Sequence, residues 1–281
     1  MFWSIDGAPA IIRALLKNGG TPTSLLAPDT PLRDARDLQI RSQKVHFIAH
    51  DGSSVHDLYS VPTTGGSETC LAYAYSVDSY AAGLGATYVQ AFAGLHLVDG
   101  GACDYGTDVP NIDCFSLIDS GLSVWGVCNA DGNGPIGLAR FSGVQHEYLV
   151  GPGSGVVNAF SHLTHDDLDL FWSLPNVTTS TFLFRKSLLD DNQGPEQIDD
   201  LPIPPNQLRG VHAHGDPDGA IYIVRAQSGS LQIVRTPKDS PGLDDTFAVD
   251  VANSIVALDD VSIFYWRASL NDTVDLMRLA L

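Results

Sequence analysis

Three glutamates, at positions 68, 147 and 196, are all that this 281-residue chain contains. The other 30 of its 33 acidic residues (33 − 3) are aspartates. Glu favours helix interiors, whereas Asp bonds to its own backbone in turns, so the shortage of Glu argues against a helical protein. Basic residues are also few. Fifteen Lys and Arg leave a formal net charge of −18, which excludes nucleic acid and anionic membrane surfaces as partners, since both require basic patches. No apolar run is long enough to span a bilayer, so no membrane span is expected. The first residues carry no basic stretch and no small-residue cleavage site, so no secretory signal peptide is read from them. None of the four cysteines belongs to a C-x-x-C pair, which argues against a zinc ribbon.

What the chain does have is turn formers, 27 Gly and 16 Pro, around an apolar fraction of 44%. That combination is expected of an all-β globular chain rich in tight connections. The strands follow a repeated phrase. An aromatic sits in an apolar run at Trp3, Phe47, Tyr88, Trp125, Trp172, Tyr222 and Tyr265, at spacings of 44, 41, 37, 47, 50 and 43 residues. An Arg follows at a similar interval in five copies, as Arg13, Arg140, Arg185, Arg235 and Arg278, and Tyr59 takes its place in the second. A period in the forties with four short strands per period marks the blades of a β-propeller, each of which must stack on its neighbours to bury two apolar faces. The expected fold is therefore an all-β propeller, one domain over residues 1–281, with seven repeat copies of which the first and last are incomplete. A six-bladed ring is the alternative. Because the first copy opens on its aromatic strand and the last ends on its Arg strand, an N-terminal segment is expected to be missing.

The phrase also carries a resemblance. Phe2-Trp3-Ser4-Ile5-Asp6 followed by Ile12-Arg13-Ala14-Leu15-Leu16-Lys17-Asn18-Gly19 resembles the repeat of YWTD-type propellers, and Phe264-Tyr265-Trp266, Phe171-Trp172-Ser173, Arg185–Leu188 and Arg278–Leu281 echo its halves. The Thr-Asp pair of that motif is kept in no copy. The resemblance implies an extracellular or periplasmic binding scaffold and no catalytic residue.

Several residues are candidates for chemistry. Asn129, Asp131 and Asn133, followed by Gly134, match the first half of a calcium loop, with oxygen ligands at alternate positions. Arg140 stands where the closing Glu of that loop belongs, and an Asn/Asp/Gly hairpin turn explains the same residues; calcium is the one cofactor to consider, with no cofactor as the primary expectation. His212 and His214 have period-two spacing on an inner strand, which places them on one face, and His162 and His165 lie on the matching strand of the preceding copy. A propeller channel could gather such rings as ligands. Cys103 and Cys114 flank a polar insert and are expected to close it as a disulfide; Cys70 and Cys128 are unassigned. The function expected is non-catalytic recognition of a protein, glycan or small ligand at one face. The alternative is a propeller enzyme of lyase or lactonase type with a channel metal, which needs three or more His, Asp or Glu side chains converging on one point.

Overall fold

The computed structural model describes residues 2–5, 8–14, 20–73, 76–83, 86–92, 94–98, 103–121, 123–130, 134–155, 157–158, 161–166, 168–175, 180–190, 192–213, 219–239, 246–259, 262–268 and 274–280. Among the described residues all regular structure is β. The chain divides into two compact units, Met1–Tyr148 and Leu149–Leu281.

The first unit begins with a three-stranded sheet of β1 (Phe2–Ile5), β2 (Ile11–Ala14) and β3 (Thr23–Ser24). Three four-stranded antiparallel meanders follow. They are β4 (Arg33–Arg41), β5 (Lys44–His50), β6 (Asp57–Pro62) and β7 (Thr69–Ala72); then β8 (Val77–Ala82), β9 (Thr87–Ala91), β10 (Gly94–Val98) and β11 (Thr107–Asp108); then β12 (Ile112–Asp119), β13 (Val124–Ala130), β14 (Ile136–Ser142) and β15 (Gln145–Val150), whose last strand runs across the boundary. The second unit holds a four-stranded meander of β16 (Leu163–His165), β17 (Asp169–Pro175), β18 (Thr181–Ser187) and β19 (Glu196–Leu201). Its six-stranded sheet runs in sequence order through β20 (Leu208–Ala213), β21 (Ala220–Gln227), β22 (Ser230–Pro237), β23 (Thr246–Asp259), β24 (Ser262–Ala268) and β25 (Val274–Ala280).

Strand β5 shows why these sequences must stack. Side chains alternate across a strand. Val45, Phe47 and Ala49 join a buried cluster with Ile12, Leu25 and Leu32 of the first sheet's segment. Ile48 points the other way, into a cluster with Val77, Tyr80 and Val89 of the following sheet. Neither face can be left to water, so each blade needs two neighbours. Tight hairpins set the register. Ser42 and Gln43, between β4 and β5, both have φ in the left-handed region, at 48° and 62°, as a two-residue hairpin turn that follows strand twist requires.

Among the described residues the sheets number six, as the alternative expectation has it, and there the seventh copy forms no sheet of its own. Strand β23 pairs with β22 through Val234↔Thr246, Ile233↔Ala248 and Leu231↔Val251, then with β24 from Val251↔Arg267 to Asp259↔Ser262. Its first half closes the sixth copy and its second half opens the seventh. The reason is local: no Gly or Pro occurs from Thr246 to Asp259, so nothing breaks the strand between copies.

The aromatic–Arg phrase corresponds to cross-strand partners on one sheet face. Trp3 pairs with Arg13, Phe47 with Tyr59, Trp125 with Arg140 and Tyr222 with Arg235. The Arg140 guanidinium lies over the Trp125 ring, 5.8 Å from its centroid. In the fifth and seventh copies the Arg partner is one residue earlier than the repeat spacing suggests. Phe171 pairs with Arg185 and Phe264 with Arg278, while Trp172 occupies the opposite face and stacks on Phe184 at 5.6 Å.

Candidate functional site

The connection from β10 to β11 leaves its own blade. Cys103 donates its backbone N–H to the Cys70 carbonyl at 3.1 Å, Asp104 forms a parallel bridge with Ala72, and the Tyr73 N–H donates to the Asp104 carbonyl at 3.2 Å. This segment therefore runs alongside β7, the outer strand of the preceding blade, before β11 returns to pair with β10 through Thr107 and Asp108. A disulfide joins Cys70 to Cys103, with Cα atoms 4.9 Å apart.

That bond, with a second between Cys114 and Cys128, overturns the expected Cys103–Cys114 pairing. Cys114 stands directly opposite Cys128 in the β12–β13 ladder, with Cα atoms 4.0 Å apart, so its sulfur is already committed within its own blade. Cys103 is drawn to the neighbouring blade by the backbone bonds to β7.

The stitched segment ends in an aromatic step. Tyr73, just past β7, and Tyr105 meet edge to face, with ring centroids 5.6 Å apart and planes at 89°. Both stay exposed, at 41% and 46% of their surface. Between them in the chain path, Asp104 turns one carboxylate oxygen to the Tyr105 N–H at 2.7 Å. The disulfide and the backbone bonds thus hold two large rings side by side in the open. The only trace in the sequence is that Tyr73 and Tyr105 follow closely on Cys70 and Cys103.

In the second unit the expected histidines are partly brought together. His212 lies on β20 and His162 immediately precedes β16; both are half-buried. The two strands are adjacent, with the Ala213 N–H donating to Thr164 Oγ1 at 3.1 Å. Burial pushes His212 down to about 4, with the nearby His162 adding to the effect. His162 is lowered as well, first by burial and then by the positive charge of Arg209. Both rings are thus neutral at pH 7, the ligating form of imidazole. His165 is bonded through Nδ1 to the Asp166 carbonyl at 2.9 Å. His214 lies outside the described residues. Among the described residues, no group of three or more His, Cys, Asp or Glu is placed to hold a metal ion.

Of the calcium-loop residues, Asn129 is buried within strand β13, opposite Asp113 and Ile136, and Asp131 and Asn133 lie outside the described residues. The turn closes by backbone bonds, Gly134 N–H to the Ala130 carbonyl at 2.7 Å and Ala130 N–H to the Pro135 carbonyl at 3.2 Å. The blade of β12–β15 also carries a polar depression of about 390 Å³ lined by Ser123, Arg140, Ser142, Gln145, His146 and Glu147. There Arg140 of β14 pairs with Glu147 of β15 at 3.0 Å, a feature that sequence reasoning missed because Ser123, ahead of β13, joins these two strands only in the folded blade.

No protein family and no curated protein matches the chain. Solved structures do. A prolyl endopeptidase superposes with a TM-score of 0.64 at 11% identity, over 97% of this chain and 46% of that one. The β-propeller domain of the trilobed protease from Pyrococcus furiosus, described as having an open velcro topology, superposes with a TM-score of 0.61 at 10% identity, over 99% and 92%. The fold is a β-propeller. Regucalcin, a calcium-binding protein from Agrobacterium tumefaciens, matches with a TM-score of 0.50 at 14% identity, over 85% and 84%. The chain spans about half the length of the prolyl endopeptidase it matches, and at these identities the likeness concerns the propeller fold alone. The YWTD-type motif gains no family match.

Proposed function

We propose that this propeller is a non-catalytic recognition scaffold and that the Tyr73–Tyr105 step is its contact with a glycan. The observation that carries the reading is the exposed, edge-to-face tyrosine pair held on a disulfide-stitched segment. Exposed aromatic rings offer an apolar face to a sugar ring and a hydroxyl at their polar tip, and rigid anchors lose little entropy on binding. Asp104, beside the rings, supplies a carboxylate that accepts hydrogen bonds from hydroxyls. The net charge of −18 favours an uncharged ligand over a polyanion. The pairing of all four cysteines supports an oxidising location outside the cytoplasm.

The test is binding of the whole protein to a panel of immobilised neutral oligosaccharides, compared with the Tyr73→Ala and Tyr105→Ala variants. The reading requires that a glycan bound by the wild type be lost by both variants with the melting temperature unchanged; retention of that binding by both would overturn it. A second reading, metal-dependent catalysis, rests on His162 and His212 at the adjacent edges of β16 and β20 and needs a third ligand that the described residues do not supply. Metal analysis of the purified protein, with and without His212→Ala, decides it.

A further inference from the structure

The two disulfides occupy opposite environments. Cys114–Cys128 links directly opposed residues of adjacent strands within one blade, and the two residues are 5% and 0% exposed. It is enclosed by close neighbours: a Cβ built on Gly126 would stand 2.7 Å from Cys128 Sγ, 2.9 Å from the Leu117 side chain and 3.1 Å from Phe141. A reductant reaches this bond only when the blade comes apart. Cys70–Cys103 links two blades, with Cys103 exposed and Cys70 half-buried on an outer strand.

The Cys103 segment buries little, with Cys103, Asp104 and Tyr105 all exposed. Two backbone hydrogen bonds tie it to β7, one ring contact joins Tyr105 to Tyr73, and β11 adds a two-residue ladder. Segments with little buried apolar surface and few backbone bonds open locally at small free-energy cost. Here the covalent bond makes up for what the packing does not supply.

We propose that Cys70–Cys103 is a redox-sensitive clasp that opens in the folded protein, releases residues 103–106 from β7 and separates Tyr105 from Tyr73, while Cys114–Cys128 stays closed. The reductant is a dithiol. Its thiolate attacks the exposed Cys103 sulfur, the sulfur–sulfur bond breaks, and Cys70 leaves as a thiolate that takes up a proton. The second thiol of the reductant then attacks the mixed disulfide and Cys103 leaves in the same way. Two electrons pass to the protein, which gains two thiols, and the reductant departs as a cyclic disulfide. Opening also bares the edge of β7, a row of backbone donors and acceptors now covered by the chain itself. As control of glycan contact, the clasp rests on the reading of the tyrosine step given above; as a redox device, it does not.

The experiment treats the native protein with dithiothreitol without denaturant, traps thiols with iodoacetamide and maps the labelled peptides, with hydrogen exchange followed in parallel. Cys70 and Cys103 are expected to label faster than Cys114 and Cys128 by about tenfold or more, with exchange rising in residues 69–73 and 103–108 and unchanged in β12–β14. Labelling of all four cysteines at one rate, or labelling of Cys70 and Cys103 with no change in exchange, overturns the proposal. The Cys70→Ser/Cys103→Ser variant should show the raised exchange without reductant; exchange in it identical to that of the oxidised wild type overturns the proposal too. Glycan binding is not among these readouts, so failure of the tyrosine-step reading and failure of the clasp are told apart.

Discussion

Lys238 Nζ lies 2.8 Å from Asp166 Oδ2, and the two side chains are only 9% and 6% exposed. Lys238 follows β22, whereas Asp166 sits in the turn between β16 and β17, so the pair ties two adjacent blades of the second unit. The other Asp166 oxygen is engaged as well, accepting the Leu168 and Asp169 N–H groups at 2.7 Å each. The ammonium also stands 6.0 Å from the Phe171 ring centroid.

Removing one member of this pair should be far worse than replacing both. A buried charge stripped of its partner costs about 3–5 kcal/mol, while an apolar replacement of both is often near neutral. Asp166→Ala is therefore expected to lower the urea midpoint sharply, and Asp166→Leu/Lys238→Met to recover part of the loss. Equal destabilisation by the single and the double variant would contradict this account.

Acid should loosen the first unit through His46. This ring is buried in β5, with no hydrogen-bond partner at Nδ1 among the described residues, and burial, aided by Lys44, pushes it down to about 4 from 6.5. The folded value is below the unfolded one, so the unfolded chain binds the proton more readily. The contribution is fully present above pH 6.5 and is lost as the pH falls toward 4. The loss amounts to about 3 kcal/mol. Urea titrations between pH 7 and 4 should show that slope, and His46→Gln should flatten it. An unchanged slope in the variant would assign the acid sensitivity elsewhere.

Gln39 joins two inner strands by both ends of its amide. Its Nε2 donates to the Tyr80 carbonyl at 2.8 Å and its Oε1 accepts the Ala82 N–H at 3.1 Å. Gln39→Ala leaves two backbone groups of β8 without these bonds, at a cost of about 1–3 kcal/mol for each group that stays dry. Chemical denaturation should register a loss in that range, with the largest gain of hydrogen exchange at Ala82. Protection at Ala82 equal to that of the wild type would show that water replaces the amide.

The strand phrase was legible because its cause is local. Period-two alternation and short turns decide which residues of one hairpin face each other, so Trp125 and Arg140, or Phe47 and Tyr59, could be paired by spacing. The same reasoning slipped by one residue at Trp172 and Tyr265, where loop length changed the register while the aromatic run stayed apolar at both positions. The continuous β23 was written in the absence of Gly and Pro from Thr246 to Asp259, a signal outweighed by counting aromatics.

By itself, then, the sequence determined the all-β class and the blade period, since both follow from side-chain alternation and turn chemistry over a few residues. Tertiary structure alone decided the cysteine pairing. Cys103 lies 11 positions from Cys114 in the chain (114 − 103), yet it bonds to Cys70, 33 positions away. The choice depends on a segment crossing to the edge of the neighbouring blade, where unpaired backbone groups of β7 draw it in. No local pattern records which edge lies within reach. The meeting of Tyr73 with Tyr105, and of His162 with His212, comes from the same cause: side chains distant in sequence become neighbours only when blades stack to bury both of their faces.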